Sequence, residues 1–169
     1  MNKAFIFVMT GFVLSGCIAT GNKIIDLKAR PEITVLENGY KQISTTPFSI
    51  TQEGGGIDSV HAAVGASWRN DRNDYLTINV RSFHKSSLEW MRLIIDEKVY
   101  QYSPISPCVN SKFTCYEIPV DVAKEMLNAV SVRIEYKTES GSIHKGFLKH
   151  GDIILPGGKT VLNVIRAIP

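Results

Sequence analysis

The chain has 169 residues, of which 44% are hydrophobic and 21% charged, with a formal net charge of +3 at pH 7. This length is typical of one domain with a sizeable core. The nearly balanced charge argues against a nucleic-acid-binding protein, which would show a concentrated basic face, so we expect no nucleic-acid partner.

The first 16 residues have the pattern of an export signal. Lys3 supplies one positive charge, and residues 4–14 are almost all apolar. That run is too short to span a bilayer, which takes about 20 apolar residues, but it matches the apolar region of a signal peptide. An ordinary signal peptide that happens to be followed by a cysteine, or a buried N-terminal element, would also give this pattern.

The segment Leu14-Ser15-Gly16-Cys17 resembles the lipobox, the cleavage and lipidation motif of bacterial lipoproteins. The resemblance implies cleavage before Cys17, diacylation of its thiol and acylation of the new amine. Lipid on Cys17 would then anchor the protein to a membrane without a spanning helix. Because Ile18, and not an aspartate, follows the cysteine, the resemblance favours the outer membrane of a bacterial envelope, with the protein facing the periplasm.

The resemblance divides the chain into three parts. Residues 1–16 are a removed signal peptide, residues 17–23 are the lipidated N-terminus with a short tether, and residues 24–169 form one globular β-rich domain. Removal of 16 of the 169 residues leaves 153, and Lys3 is the one charged residue lost, so 18 basic residues remain against 16 acidic ones. The resemblance covers about twenty residues and implies no family for the globular domain.

Two cysteines remain once Cys17 carries lipid. Cys108 and Cys115 lie in a segment that would be exported to an oxidising compartment, which predicts a disulfide between them. Closing so small a loop stabilises the fold by about 2.5 kcal/mol in the chain-entropy treatment. A metal-binding or redox pair is the alternative, although the six-residue spacer does not match the CxxC of redox motifs.

Strand patterns dominate the domain. Weak patterns over 33–35 and 42–50 precede clear alternation over 60–68 and 76–80, which a polar loop at 69–74 joins into a predicted hairpin. The small apolar residues of 60–68 predict close packing of another layer. Further strands are predicted, in chain order, over 88–95, 99–102, 130–136, 143–148 and 160–165.

One helix is predicted over residues 121–130. Asp121 follows Pro119 as its N-cap, and the apolar residues keep an i, i+4 stripe. Strands joined by short turns with one short α-helix indicate a mainly β, antiparallel, β-sandwich-like domain. An antiparallel sheet with the helix on one face is the alternative.

The sequence predicts no catalytic, cofactor-binding or metal-binding residues. The four histidines, His61, His84, His144 and His150, have no ligand spacing, and no nucleophile elbow occurs. The polar loop at 70–74 lacks the glycine and the glutamate of a calcium loop. We therefore expect no cofactor.

Two groups of side chains are predicted to form a partner surface. One consists of aromatic residues near the cysteine loop, and the other is a basic stretch. They are Trp90, Tyr100, Tyr102 and Tyr116, and His144, Lys145, Lys149 and His150. Core packing of the aromatic residues and a solvated face for the basic ones are the alternative explanations.

These observations favour a lipid-anchored, non-enzymatic binding or assembly module whose partner is another envelope protein or a cell-wall component. A periplasmic hydrolase acting on cell-wall or glycan substrates is the first alternative, which would need a cleft with converging His, Ser or carboxylate groups. A carrier of a small ligand or lipid is the second, which would need an apolar cavity inside the β layers.

Overall fold

The computed structural model describes residues 29–51, 60–83, 87–106, 108 and 112–169. The predictions for the signal peptide, for the tether and for Cys17 lie outside these residues.

The described residues form eleven strands, two α-helices and one 3-10 helix. The strands are β1 (Glu32–Val35), β2 (Lys41–Ser44), β3 (Phe48–Thr51), β4 (Val60–Arg69), β5 (Tyr75–Ser82), β6 (Leu88–Ile95), β7 (Lys98–Tyr102), β8 (Thr114–Pro119), β9 (Ser131–Thr138), β10 (Ile143–His150) and β11 (Ile153–Ile154). The helices are α1 (Val120–Asn128), α2 (Pro156–Ala167) and the 3-10 helix Asn70–Arg72.

The strands form two antiparallel sheets. Sheet 1 has six strands in the order β1-β2-β4-β5-β8, and β3 pairs with β4 beyond the end of β2. Sheet 2 has five strands in the order β11-β10-β9-β6-β7. The predicted hairpin is confirmed as β4 and β5, and the predicted strand over 88–95 is confirmed as the interior strand β6.

One apolar core lies between the inner faces of the two sheets and the helices. Strand β4 contributes Ala62, Val64 and Ala66, which are fully buried, while the residues between them face outward. Strands β5, β6, β8 and β9 also contribute mainly alternate residues to this core, as expected for sheets that turn one face to a core. The predicted mainly β, antiparallel, β-sandwich-like fold is confirmed.

Helix α1 confirms the predicted helix with different bounds. It begins at Val120 and ends at Asn128, so the predicted start and end are each displaced by one or two residues. Asp121 is not its N-cap, because Pro119 occupies that position. Asp121 lies in the first turn, where its Oδ1 accepts the N–H of Val122 at 2.8 Å. A carboxylate in the first turn is favoured by the helix dipole.

Helix α2 corrects the predicted strand over 160–165. It begins at Pro156, a residue that suits the first helical position because it needs no N–H there. The helix packs on the inner face of β4 and also contacts β2, β3 and β10. The small side chains of Ala62 and Ala66 leave room for this approach. Helix α2 is therefore the closely packed layer that the small apolar residues of 60–68 predict.

The predicted strand over 42–50 is two strands. β2 and β3 pair successively along the same side of β4, and the chain crosses between them at residues 45–47. Pro47 has no N–H to donate to a ladder, which is consistent with a break at this point. The break is important because Pro47 borders the groove described below.

Candidate functional site

An open groove lies on the outer face of sheet 1, the face turned away from the core. Its volume is about 270 Å³. The floor consists of side chains from β2, β4, β5 and β8 that alternate with core residues. Pro47 and the loop that contains Cys108 border the floor. We call this feature the outer groove.

A row of three hydroxyl groups and one carboxylate crosses the floor of the outer groove. Strand register places Ser44 beside Ser67, Ser67 beside Thr77, and Thr77 beside Glu117. Neighbouring strands lie about 4.8 Å apart, so the four side chains cross the sheet at regular intervals. None of the three hydroxyls has a hydrogen-bond partner among the residues that the structure describes. We call Ser44, Ser67 and Thr77 the hydroxyl row.

A second cross-strand row contains Gln42 and Arg69, which are register partners. Arg69 is held by Asp71, because its Nε and Nη2 donate to the two carboxylate oxygens at 2.9 and 2.6 Å. At the end of the hydroxyl row, the Nη1 of Arg72 lies 2.6 Å from the Oε1 of Glu117. Each arginine of the groove is therefore paired with a carboxylate, and these four charges cancel.

The disulfide loop, of which the structure describes residues 105, 106, 108, 112 and 113, borders the groove beyond the edge strand β8 through Ile105, Cys108 and Phe113. Cys108 and Cys115 form the predicted disulfide, with their Cα atoms 5.4 Å apart. The N–H of Ile105 donates to the carbonyl oxygen of Cys115 at 2.8 Å, which ties the start of the loop to β8. Phe113 also lines the groove on this side. The loop is thus joined to the sheet by a covalent bond and by a backbone hydrogen bond.

Pro47 packs directly on the backbone of β4. A Cβ atom on Gly65 would lie 2.9 Å from the Cγ of Pro47, closer than ordinary carbon contacts of about 3.5 Å. Glycine at position 65 therefore lets the β2–β3 connection lie against the sheet. Thr45, which precedes Pro47 in this connection, accepts the N–H of Ala66 on β4 through its hydroxyl at 3.4 Å. The connection is consequently fixed to the floor strand.

The predicted aromatic residues do not form one surface. Tyr116 is fully buried in the core, so it cannot contribute to a partner surface. Tyr100 and Tyr102 are half-buried against the core from β7. Trp90 lies on the outer face of sheet 2, where the guanidinium carbon of Arg92 lies 4.3 Å from its ring centroid. The core-packing explanation therefore holds for Tyr116.

Burial governs the acidity of these tyrosines. It raises the pKa of Tyr102 to about 12, and nearby negative charge adds to the effect. Partial burial, together with the carboxylate of Glu125, also raises the pKa of Tyr100, whose hydroxyl lies 3.2 Å from both carboxylate oxygens. Burial also raises the pKa of Tyr116, whose buried Oη has no hydrogen-bond partner among the described residues.

The predicted basic stretch is engaged with neighbouring groups. Lys145 pairs with Glu135 at 3.2 Å, and Lys149 donates to the carbonyl oxygen of a residue near the end of α1 at 3.2 Å. The ring of His144 stacks on that of the buried Tyr136, with 5.1 Å between centroids. The ring of His150 meets that of Phe147 edge-on. These residues lie on sheet 2 and do not join the outer groove.

The structure does not describe the side chains of two of the four histidines. His84 lies outside the described residues, and His61 lies within β4 with its side chain outside the description. Across the described part of the chain, no three His, Cys, Asp or Glu side chains lie close enough together to hold a metal ion. The described helices include none with the length and apolarity needed to cross a membrane.

Sequence reasoning missed the hydroxyl row. Ser67 and Thr77 already lay on the polar side of the predicted hairpin, but single serines and threonines on a solvated face carry no signal of their own. Strand order and register were the missing information, because they bring Ser44 and Glu117 into the same line.

No protein-family model, curated protein or solved structure matches the chain.

Proposed function

We propose that this protein is a lipid-anchored lipoprotein of the bacterial envelope whose globular domain is a non-enzymatic binding module. The outer groove is its binding site, and the partner is another envelope component. The observation that carries the proposal is the hydroxyl row, three hydroxyls on the floor of a bordered groove that have no hydrogen-bond partner among the described residues. A few polar groups that converge on a concave surface fix the orientation of a ligand and give the site its specificity.

The anchoring part of the proposal is supported by the segment Leu14-Ser15-Gly16-Cys17 and by the export signal before it. Ile18 after the cysteine supports the outer membrane, with the domain facing the periplasm. The disulfide between Cys108 and Cys115 is consistent with such a location, because structural disulfides persist in oxidising compartments. Lipidation then keeps the groove near the membrane surface.

Binding is favoured over hydrolysis by the state of the charged groups in the groove. A general acid or base must be within reach of the substrate proton that it transfers. Glu117 instead meets Arg72 at 2.6 Å, and Asp71 accepts two hydrogen bonds from Arg69. These pairs fix the shape of the site, while the neutral hydroxyl row is left to contact a ligand.

Palmitate labelling tests the anchor. In cells fed with a palmitate analogue, the wild-type protein should be labelled and should fractionate with the envelope. Replacement of Cys17 by alanine should abolish the label, because only the thiol can carry the thioether-linked lipid. Undiminished labelling of the Cys17→Ala protein would contradict the lipobox.

Site-specific photo-cross-linking tests the groove. A photoreactive residue at Ser67 should give a discrete adduct with an envelope component in living cells. The matched control is the same residue at Ser131, which lies on the outer face of β9 in the other sheet. Adducts that are identical from the two positions, or absent from Ser67, would contradict the outer groove as the binding site.

A further inference from the structure

We propose that the ligand of the outer groove is a neutral, hydroxyl-rich saccharide chain that lies across the strands of sheet 1. This inference rests on the proposed function, because it names the ligand class of the same site. Five features of the groove carry it: the spacing of its hydroxyls, their chemistry, the apolar rings at its borders, the paired state of its charges and the location of the site on a sheet face.

The spacing of the hydroxyl row favours a ligand that repeats along its length. Ser44, Ser67 and Thr77 come from three adjacent strands, so their hydroxyls span two strand intervals, about 10 Å. Glu117 adds a third interval in the same line. A chain of sugar rings presents polar groups at regular steps, and one such chain would meet the whole row.

The chemistry of the floor is complementary to sugar hydroxyls. A serine or threonine hydroxyl donates one hydrogen bond and accepts others, as a sugar hydroxyl does. Gln42 and Asn79 also line the groove, and each adds an amide that both donates and accepts. The groove therefore offers donors and acceptors together and would suit a ligand whose groups are also of both kinds.

The borders of the groove offer surface for the apolar faces of sugar rings. Tyr75 and Phe113 line it, and Tyr75 is 44% exposed. Pro47 adds an aliphatic ring that is held against the backbone of β4. Aromatic rings supply large contact areas at low cost in conformational entropy, which suits the C–H faces of a saccharide.

Charge argues against a polyanion in this groove. Arg69 and Arg72 are each paired with a carboxylate at 2.6 Å, so neither presents a free positive charge. An acidic ligand would have to displace Asp71 from Arg69 or lie beside Glu117. A neutral ligand meets no such opposition.

The location on a sheet face argues against an extended peptide. A peptide that adds to a sheet takes its affinity from main-chain hydrogen bonds at an open edge. Here β2, β4 and β5 are paired on both sides, so their N–H and C=O groups are used in the ladders, and the edge strand β8 is bridged by Ile105 at Cys115. Recognition at the floor must rely on side chains, and these are mostly hydroxyls and amides.

Glycan-array binding followed by titration tests the proposal. The mature lipidated protein, which begins at Cys17, is purified in detergent and applied to neutral and acidic oligosaccharides, and the best neutral tetrasaccharide is then titrated by calorimetry. Ser67→Ala and Thr77→Val each remove one hydroxyl from the row and should weaken binding about threefold to tenfold. Ser131→Ala, the same change on the other sheet, should leave the affinity unchanged.

Any one of three results would overturn the proposal of a saccharide ligand. The first is that no neutral glycan binds more strongly than it binds to an unrelated detergent-solubilised lipoprotein. The others are unchanged affinity in both groove variants and stronger binding of acidic than of neutral glycans. The cross-linking experiment keeps this failure separate from failure of the proposed function. A specific protein adduct from Ser67 without glycan binding would retain the binding module and reject its saccharide ligand.

Discussion

Replacement of Gly158 by alanine tests how closely α2 approaches sheet 2. Gly158 lies in the first turn of α2, and α2 contacts β10 there. In an exposed helix this change stabilises a protein by about 1 kcal/mol, because alanine is the better helix former. The structure predicts the opposite sign, because the site has no space for a methyl group.

The atoms that would obstruct a methyl group at position 158 belong to the backbone of Leu148, and this sets the size of the destabilisation. A Cβ atom on Gly158 would overlap the carbonyl oxygen of Leu148 and lie 2.7 Å from its carbonyl carbon, whereas ordinary carbon contacts begin near 3.5 Å. The same oxygen accepts the N–H of Leu155 at 3.0 Å, so moving it weakens a hydrogen bond. Overpacking costs about 1–3 kcal/mol, and at a fixed backbone group we take the upper value. After the gain in helix propensity, the net loss is about 2 kcal/mol.

Urea denaturation of the two proteins, followed by circular dichroism, measures this loss. A lower midpoint with an unchanged slope is expected. Gly157→Ala is the graded comparison, because its Cβ would meet the Cγ2 of Ile50 at 2.5 Å, and a side-chain methyl can rotate away. We expect the Gly158 variant to be the less stable of the two. Equal or greater stability than wild type in Gly158→Ala would refute the close approach of α2 to β10.

The remaining predictions concern the disulfide, a buried hydroxyl and alkaline pH. Replacing Cys108 and Cys115 together by alanine should destabilise the fold by about 2.5 kcal/mol through loop entropy, and reduction of the wild type should have a similar effect; an unchanged urea midpoint would contradict this. Thr160 is fully buried and its hydroxyl, which has one hydrogen to donate, lies 2.7 and 3.0 Å from two carbonyl oxygens, so Thr160→Val should cost about 1 kcal/mol, whereas Thr34→Val on the exposed strand β1 should cost less than about 0.5 kcal/mol. Because burial raises the pKa of Tyr102 from 10.0 to about 12, its contribution to stability is full below pH 10 and is lost as the pH rises toward 12. The Tyr102→Phe protein should therefore lose less stability than wild type between these pH values, and identical pH profiles would rule this out.

Local sequence patterns predicted the strands well because most strands turn one face to the core. The alternation in β4 and β5 follows directly from burial of every second residue. The same reasoning misassigned α2, since Val161, Val164 and Ile165 are β-branched and favour strands. All three are buried in the helix, and packing against β4 outweighs their intrinsic preference. The close approach of Gly157 to β3 and of Gly158 to β10 becomes visible only in the fold.

The candidate site was harder to predict than the fold because no single segment contains it. Ser44, Ser67, Thr77 and Glu117 lie on four different strands, and the strand order places β4 between β2 and β5. Register is decided by how the apolar faces meet the core, since a slip of one residue would turn each hydroxyl inward. The polar row is therefore a consequence of the packing on the other face of the same strands.

The disulfide loop combines two requirements of this architecture. β8 is the last strand of sheet 1, and an uncovered edge strand is open to pairing with other chains. The bridge between Ile105 and Cys115 covers part of that edge, and the bond to Cys108 keeps the loop there. The same loop lines the outer groove with Phe113. A cross-link at this position stabilises the domain and also maintains the border of the proposed site, so loss of the disulfide should weaken ligand binding under conditions in which the domain is still folded.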